Sequence, residues 1–304
     1  QARAALQKAA DRIVSRQGFD GAFGLWSEGD GYANPWVGVY AADFLHRAKE
    51  KDYVVPASAL VKADNALKTL TKMERYPNLS YDWRTYNNRR AEKTTRQAEA
   101  AAYAHYVLAR SGKGDLSAMR YFQDNHASKL NTPLGYGYLG TALSMMDDKV
   151  RARRAFERAK AKIGYQDKYN YYQSPLRDAA GLLALLNETG DTEILEEVQK
   201  TFDENLKPPN RLNTQEMAQT ILAIRSFLVN SKPLEITANG ANLTKVQGVT
   251  KVHLYGTELD TGISFTNESD GPVWRSVMVS GAPTKAPTPF AKGFTLSKSI
   301  YKMD

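Results

Sequence analysis

Four histidines, His46, His105, His126 and His253, and no cysteine make up a short inventory of catalytic side chains. A chain without cysteine offers no disulfide, no thiolate metal ligand, no cysteine nucleophile and no thioester of its own. The histidines are scattered, and none forms a zinc-binding set with a second histidine. His46 and His105 fall on expected helices and His253 on an expected strand, and each reads as a packing or surface residue rather than a general base. Asp147-Asp148 and Glu196-Glu197 are carboxylate pairs. Consecutive residues on a helix point apart, so they are expected as solvated helix faces and not as acid/base dyads.

Two aromatic, glycine-containing loops carry more. The first runs Gln17-Gly-Phe-Asp-Gly-Ala-Phe-Gly-Leu-Trp26 and leads to Trp36. Asp20-Gly21 supplies a tight turn. Phe23, Trp26 and Trp36 are expected to pack against one another at one rim of a helix array. The second, Leu79-Ser-Tyr-Asp-Trp-Arg-Thr-Tyr86, lies one helical hairpin later and adds Tyr81 and Trp83. Tyr165 to Tyr172 occupies a comparable connection. Such loops either cap the core or form a binding face.

The elements that must position these loops are helices. Up to about Asn230, apolar residues recur at three and four, giving ten helices: 4–17, 34–48, 56–70, 91–110, 115–130, 132–147, 149–163, 174–189, 192–206 and 213–229. Start signals are explicit at Asn34-Pro35, at Ser174-Pro175 and in the capping box Asn213-x-x-Glu216. The helices pair at a loose period of roughly 40 residues, the mark of stacked hairpins. Every second helix is rich in Ala, Leu and Tyr, and the intervening ones are amphipathic. An inner apolar and an outer charged layer imply a mainly α fold, an α/α toroid or a solenoid; as a closed toroid of six pairs, the reading preferred here, it would have its first hairpin missing.

From residue 232 the texture changes to β. Strands are expected at 234–238, 249–255, 262–266 and 273–279, with turns at Asn239-Gly240, Thr257-Glu258 and Asp270-Gly271. The expected organisation is a toroid over 1–231, part of a β-sandwich over 232–285, and a linker with the first strand of another domain over 286–304. Both ends read as cut from a larger protein.

The net charge is +8, with +6 of it in the first 231 residues. Arg151, Arg154, Arg158 and Lys162 recur at helical spacing opposite Ala152, Ala155, Phe156, Ala159 and Ile163. That is the solvated face of an amphipathic helix. No phosphate-cradling glycine loop or aromatic platform accompanies it, so a nucleic-acid partner is not expected. No apolar run reaches the ~18 residues of a membrane span.

Gln17 to Phe23, Trp36 to Leu45 and Asn213-Thr-Gln-Glu-Met-Ala-Gln-Thr-Ile-Leu-Ala-Ile224 together resemble the thioester-containing helical domain of the alpha-2-macroglobulin and complement family, above all its bacterial branch. Pro272-Val-Trp274, Gly281-Ala-Pro283 and Gly293-Phe-Thr-Leu are similar to the β-sandwich, CUB-like or macroglobulin-like, that flanks it. The resemblance implies a non-enzymatic trap for endopeptidases in the bacterial periplasm or envelope, in a parent that could carry a lipid anchor. It implies no cofactor, and partners that are target proteases and the remaining domains of the parent. In that family a cut in a bait segment exposes a buried Cys-x-Glu-Gln thioester, which acylates the attacker. The motif would lie upstream of Gln1. Asp20, Gly21, Phe23, Trp26, Trp36, Tyr81 and Trp83 would then form a rim that keeps water from it. Complement members that esterify hydroxyls carry a histidine one hairpin after the first loop. The matching region, 81–96, has none, which implies direct reaction with amines.

The rival is an enzyme on the same architecture. Gln17 to Phe23 superficially resembles the Q-x-x-D-G-x-W repeat of terpene cyclases, but Asp147-Asp148 lacks the continuation of their acidic motif. Prenyltransferase subunits need a zinc-binding cysteine. A toroidal polysaccharide lyase would use tyrosine, histidine and arginine, for which Tyr86, Arg89 and His105 are the candidates.

Overall fold

A computed structural model describes residues 2–28, 34–73, 90–166, 173–230, 235–239, 241–242, 252–268, 277–281, 285 and 298. Helix starts follow the local chemistry of the sequence. Asn34 accepts from the backbone N–H of Trp36 and Val37 and opens α2 (Pro35–Glu50). The Ser174 hydroxyl accepts from Arg177 N–H at the head of α8 (Pro175–Thr189). The capping box is complete at α10 (Thr214–Asn230): Asn213 Oδ1 accepts from Gln215 and Glu216 N–H, and Glu216 Oε2 accepts from Asn213 N–H at 3.0 Å.

The other helices are α1 (Ala2–Val14), α3 (Ala57–Thr71), α4 (Arg90–Arg110), α5 (Leu116–Asn125), α6 (Pro133–Met145), α7 (Lys149–Lys160) and α9 (Leu195–Asn205). The chain is mainly helical, and each of the ten segments with a three-to-four period holds one of these helices. Even-numbered helices pack in succession, α2 on α4, α4 on α6, α6 on α8 and α8 on α10. The odd-numbered ones flank them, α3 against α2 and α4, α7 against α6, α9 against α8.

Composition explains the layering. Every residue of α6 from Pro133 to Leu143 is buried, as an all-round apolar helix must be. Its glycines permit the approach: a Cβ on Gly137 would lie 2.4 Å from Leu182 Cδ2, and one on Gly140 2.9 Å from Phe156 Cε1. α7 instead buries Ala152, Ala155, Phe156 and Ala159 and exposes Arg154 and Arg158. Asp147 and Asp148 are not the solvated helix face expected of them. Asp147 follows the end of α6 with a positive φ of 61°, and Asp148 caps α7 through Arg151 N–H while holding Arg120 at 2.7 Å. So short a link between two helices makes both carboxylates part of the termini.

The chain folds as two compact units, 1–232 and 233–304. In the second, β1 (Ile236–Ala238) lies between β2 (Ala241–Asn242) and β3 (Phe265–Asn267), both antiparallel, with Ala238 opposite Ala241 and Phe265. Of β1 and β3, Ala238 alone is buried. The expected strand 249–255 differs from the structure over its described part, 252–255, which is irregular and holds His253 stacked on Tyr255. Alternating β-formers make a strand only where a neighbour pairs with them. Of the expected strand 273–279, the described part, 277–279, is exposed and irregular, and Asp270-Gly271 lies outside the described residues. Thr257-Glu258 opens not a hairpin turn but the single helical turn α11 (Glu258–Thr261). Among the described residues no helix is long and apolar enough to cross a membrane.

Candidate functional site

The loop after α1 is locked onto α3. Gln17 and Phe23 pair as an isolated β-bridge, and the Asp20 carboxylate accepts from Ala22 N–H at 3.1 Å. Gln17 Nε2 donates to Ala59 O on α3 at 2.9 Å. Gly21 has φ +84°, and a Cβ there would lie 2.1 Å from Lys62 O. Both the left-handed backbone and the contact demand glycine. Phe23 is 4% exposed and belongs to the core, whereas Trp26 is 77% exposed. Tyr81 and Trp83 lie outside the described residues.

Trp36, in the first turn of α2, opens onto a different group. Its ring stacks on Tyr40 at 5.4 Å and tilts against Tyr103 at 6.2 Å. Tyr103 in turn stacks on Tyr138 at 4.1 Å. The Arg177 guanidinium lies 5.4 Å above the Trp36 ring, a cation–π contact, and donates to Asp178 Oδ1 at 3.1 Å. Arg177 and Asp178 are both buried, with Gln173 donating to the second Asp178 oxygen. Burial pushes the Asp178 carboxyl up to about 6, against the pull of Arg177 and the Gln173 hydrogen bond. Glu99 is raised too, by burial, although it accepts from Asn131 N–H, Thr132 N–H and the Thr132 hydroxyl.

Toward the other ends of the even helices lies a cavity of about 300 Å³, lined by side chains of α2, α4, α6, α8 and α10. A polar chain runs along it. Arg47 binds Asp43 at 2.9 Å and donates to the Tyr106 hydroxyl at 2.9 Å. Tyr106 donates to Glu188 at 2.7 Å, which also receives Arg110 at 3.2 Å. These groups satisfy one another, which sets tyrosine hydroxyls and charges in fixed positions at the centre of an otherwise apolar layer.

The loop residues Asp20, Gly21 and Phe23 therefore come together on α3, Trp36 joins the tyrosine and arginine cluster, and Trp26 stands on the surface. Sequence reasoning missed Arg177, Asp178, Glu99 and the Asp43–Glu188 network. The available signal was charge inside the alanine-rich helices, as in Pro175-Leu-Arg-Asp-Ala-Ala180. The lyase candidate His105 is 1% exposed, packs edge-on against Phe122, and is pushed by burial down to about 3. It has no path to a polymer. Tyr86 and Arg89 lie outside the described residues. Among those described, no group of three His, Asp or Glu side chains could hold a metal ion.

A mainly helical chain with paired helices in two layers, followed by short strands, defines the class. Within that class its relatives are alpha-2-macroglobulins of bacteria. The chain is 28% identical over 317 aligned positions to the alpha-2-macroglobulin of Xylella fastidiosa, covering 98% of this chain and 18% of the relative. The Salmonella alpha-2-macroglobulin reacted with methylamine superposes with a TM-score of 0.66 at 27% identity, over 88% of this chain and 17% of that one. The Escherichia coli protein activated by porcine elastase gives 0.64 at 26%, over 88% and 23%. No family model matches. The chain thus spans about a fifth of the length of the curated relatives it matches, and the resemblance read from its loops and its last helix is borne out.

Proposed function

We propose that this chain is the greater part of the thioester-bearing helical domain, with the adjoining β segment, of a bacterial protease trap. The observation that carries the reading is alignment with bacterial alpha-2-macroglobulin along nearly the whole chain. The helical unit is an α/α toroid lacking one hairpin over 1–231, followed by part of a β-sandwich over 232–285 and the entry to another domain over 286–304. The trap is not an enzyme. Its partners are endopeptidases and the remaining domains of the parent, and it works in the periplasm or cell envelope. The existence of a Salmonella relative reacted with methylamine supports a thioester that takes amines directly.

In this reading the thioester sits on the hairpin preceding Gln1, and the aromatic rim keeps water from it until the trap is sprung. Asp20, Gly21 and Phe23 hold the loop, Trp26 and Trp36 present rings, and Tyr81 and Trp83 are assigned to the same rim by the resemblance alone. A water-excluding rim slows hydrolysis without contributing to the chemistry of acylation.

The experiment is to treat the full-length protein with methylamine and titrate thiol. Attack of the amine nitrogen on the thioester carbonyl forms an amide and breaks the C–S bond, releasing one cysteine thiol per molecule. Release of one thiol is expected, and Trp36→Ala should accelerate it. No release removes the thioester from the reading, and failure to retain a bait-cleaving protease removes the trap.

A further inference from the structure

Helix α7 carries more positive charge than its neighbours pair. Its buried side, Ala152, Ala155, Phe156 and Ala159, packs on α6. One flank is neutralised by α5 and by the cap of α7 itself, where Arg151 meets Asp124 at 3.3 Å and Asp148 at 3.8 Å. The other flank is neutralised by α9 and the turn before it, with Arg153 on Glu193 at 3.1 Å and Lys160 on Glu197. The outward crest is left over. Arg154 and Arg158 are exposed one turn apart, about 6 Å along the axis. Lys162 follows one turn further, just past the helix end, with its ammonium 5.5 Å above the Tyr165 ring. Among the described residues none of these three forms an ion pair, nor does Lys149 at the start of the helix. Glu157 is the acid on the same side, and it pairs with none of them. Like charges at i and i+4 work against a helix, yet the crest repeats them while both flanks are matched.

Shape narrows the partner. The crest is convex and no residue of α7 lines the central cavity, so it offers a small anion no pocket. Ion pairs tie α7 on either side to α5 and α9, so the helix cannot enter a nucleic-acid groove, and no row of stacking rings accompanies it. What remains is a line of cations about 12 Å long, with the exposed side chains of Val150 and Tyr165 at its two ends. A straight, shallow row of this kind fits a flat surface of many negative charges.

We propose that the crest of α7 rests on the anionic phospholipid surface of a bilayer. Arg154, Arg158 and Lys162 engage lipid phosphates, and Val150 and Tyr165 meet the headgroup layer. Each cation at such a surface strengthens association about five-fold, so the contact is reversible and is screened by salt. The proposal goes beyond the trap reading and uses neither the thioester nor the aromatic rim.

The test is co-sedimentation of the full-length protein, in unlipidated form, with vesicles of phosphatidylcholine alone and of phosphatidylcholine mixed with an equal part of phosphatidylglycerol. Binding to the mixed vesicles about ten-fold or more above binding to the neutral ones is expected at low salt, falling as salt is raised. Arg154→Gln with Arg158→Gln should weaken it about thirty-fold. Lys8→Gln with Arg12→Gln removes the same charge from exposed positions one turn apart on α1 and should leave binding unchanged. All four side chains are exposed, so both variants keep the fold. No preference for the anionic vesicles, equal losses in the two variants, or tighter binding to a duplex oligonucleotide than to the vesicles overturns the proposal. Vesicle binding does not involve thiol release, so trap and surface are tested separately.

Discussion

The Tyr103 hydroxyl donates to Asp43 Oδ2 at 2.7 Å, joining α4 to α2 at the centre of the helical layer. Both side chains are buried, and Asp43 also anchors Arg47. Tyr103→Phe keeps the ring and its stack on Tyr138 but leaves a carboxylate oxygen without its donor. A loss of about 2 kcal/mol is expected, since hydrogen bonds to buried charged groups are worth roughly 1.5–3 kcal/mol. Urea unfolding followed by circular dichroism measures it, and an unchanged midpoint would show that the Asp43 oxygen finds another donor.

Asp178 and His105 pull the pH dependence of stability in opposite directions. Burial raises Asp178 to about 6, so the folded state holds its proton where the unfolded chain, near 3.9, has lost it. Its contribution is full below about pH 4 and is lost as pH rises through 6. Burial lowers His105 to about 3, so its contribution is full above about 6.5 and is lost as pH falls toward 3. Between about pH 4 and 6, His105→Leu should therefore make stability fall with rising pH, with raised Glu99 adding to the slope. Asp178→Asn should tilt the same profile the other way. Parallel profiles in the two variants would refute the assignment.

Gly21→Ala should unfold the 17–23 loop from α3. The new Cβ meets Lys62 O and the backbone sits at φ +84°. A cost of about 2–4 kcal/mol is expected from strain and contact together. Hydrogen exchange should quicken first at Gly18 and Ala22, whose amides bond within the loop.

Glu216 ties two helix starts together. Besides Asn213 N–H it accepts from the Ser174 hydroxyl at 2.9 Å and from Lys207 at 3.0 Å. Its carboxyl is lowered: burial works against the charge, but these hydrogen bonds and the Lys207 ammonium outweigh it. Its stabilisation is complete above the usual carboxylate range and fades as pH falls through the lowered value. Glu216→Ala should cost about 2 kcal/mol at neutral pH, and Glu216→Gln should recover part of it. Equal stability of all three proteins would dismiss the tie.

The helices were legible because their signals are local. A three-to-four period survives in any window, and caps such as Asn34 and Asn213 act within one turn. Gly21 was legible as a turn, but its contact with Lys62 was not, since about forty residues separate them. The buried charges were hidden for the same reason. Arg177 beside Asp178 reads as an ordinary exposed pair until Trp36, about a hundred and forty residues earlier, is folded over the guanidinium. Phe23, Trp26 and Trp36 share an aromatic character that the sequence cannot sort, yet one is core, one surface, and one is stacked on Tyr40. In the second unit, pairing decides what is a strand, and β-propensity at 252–255 had no neighbour to act on.

The glycines of α6 leave that helix without spare room on any side. Gly135 meets the Glu99 carboxylate, Gly137 meets Leu182 and Gly140 meets Phe156. A deep mutational scan would therefore read 133–143 as an unbroken band of intolerance, while α7, the next helix, would show a periodic one. Drift between distant relatives of this chain has to be absorbed by the outer layer, and α6 is where an ancestral sequence would be easiest to reconstruct.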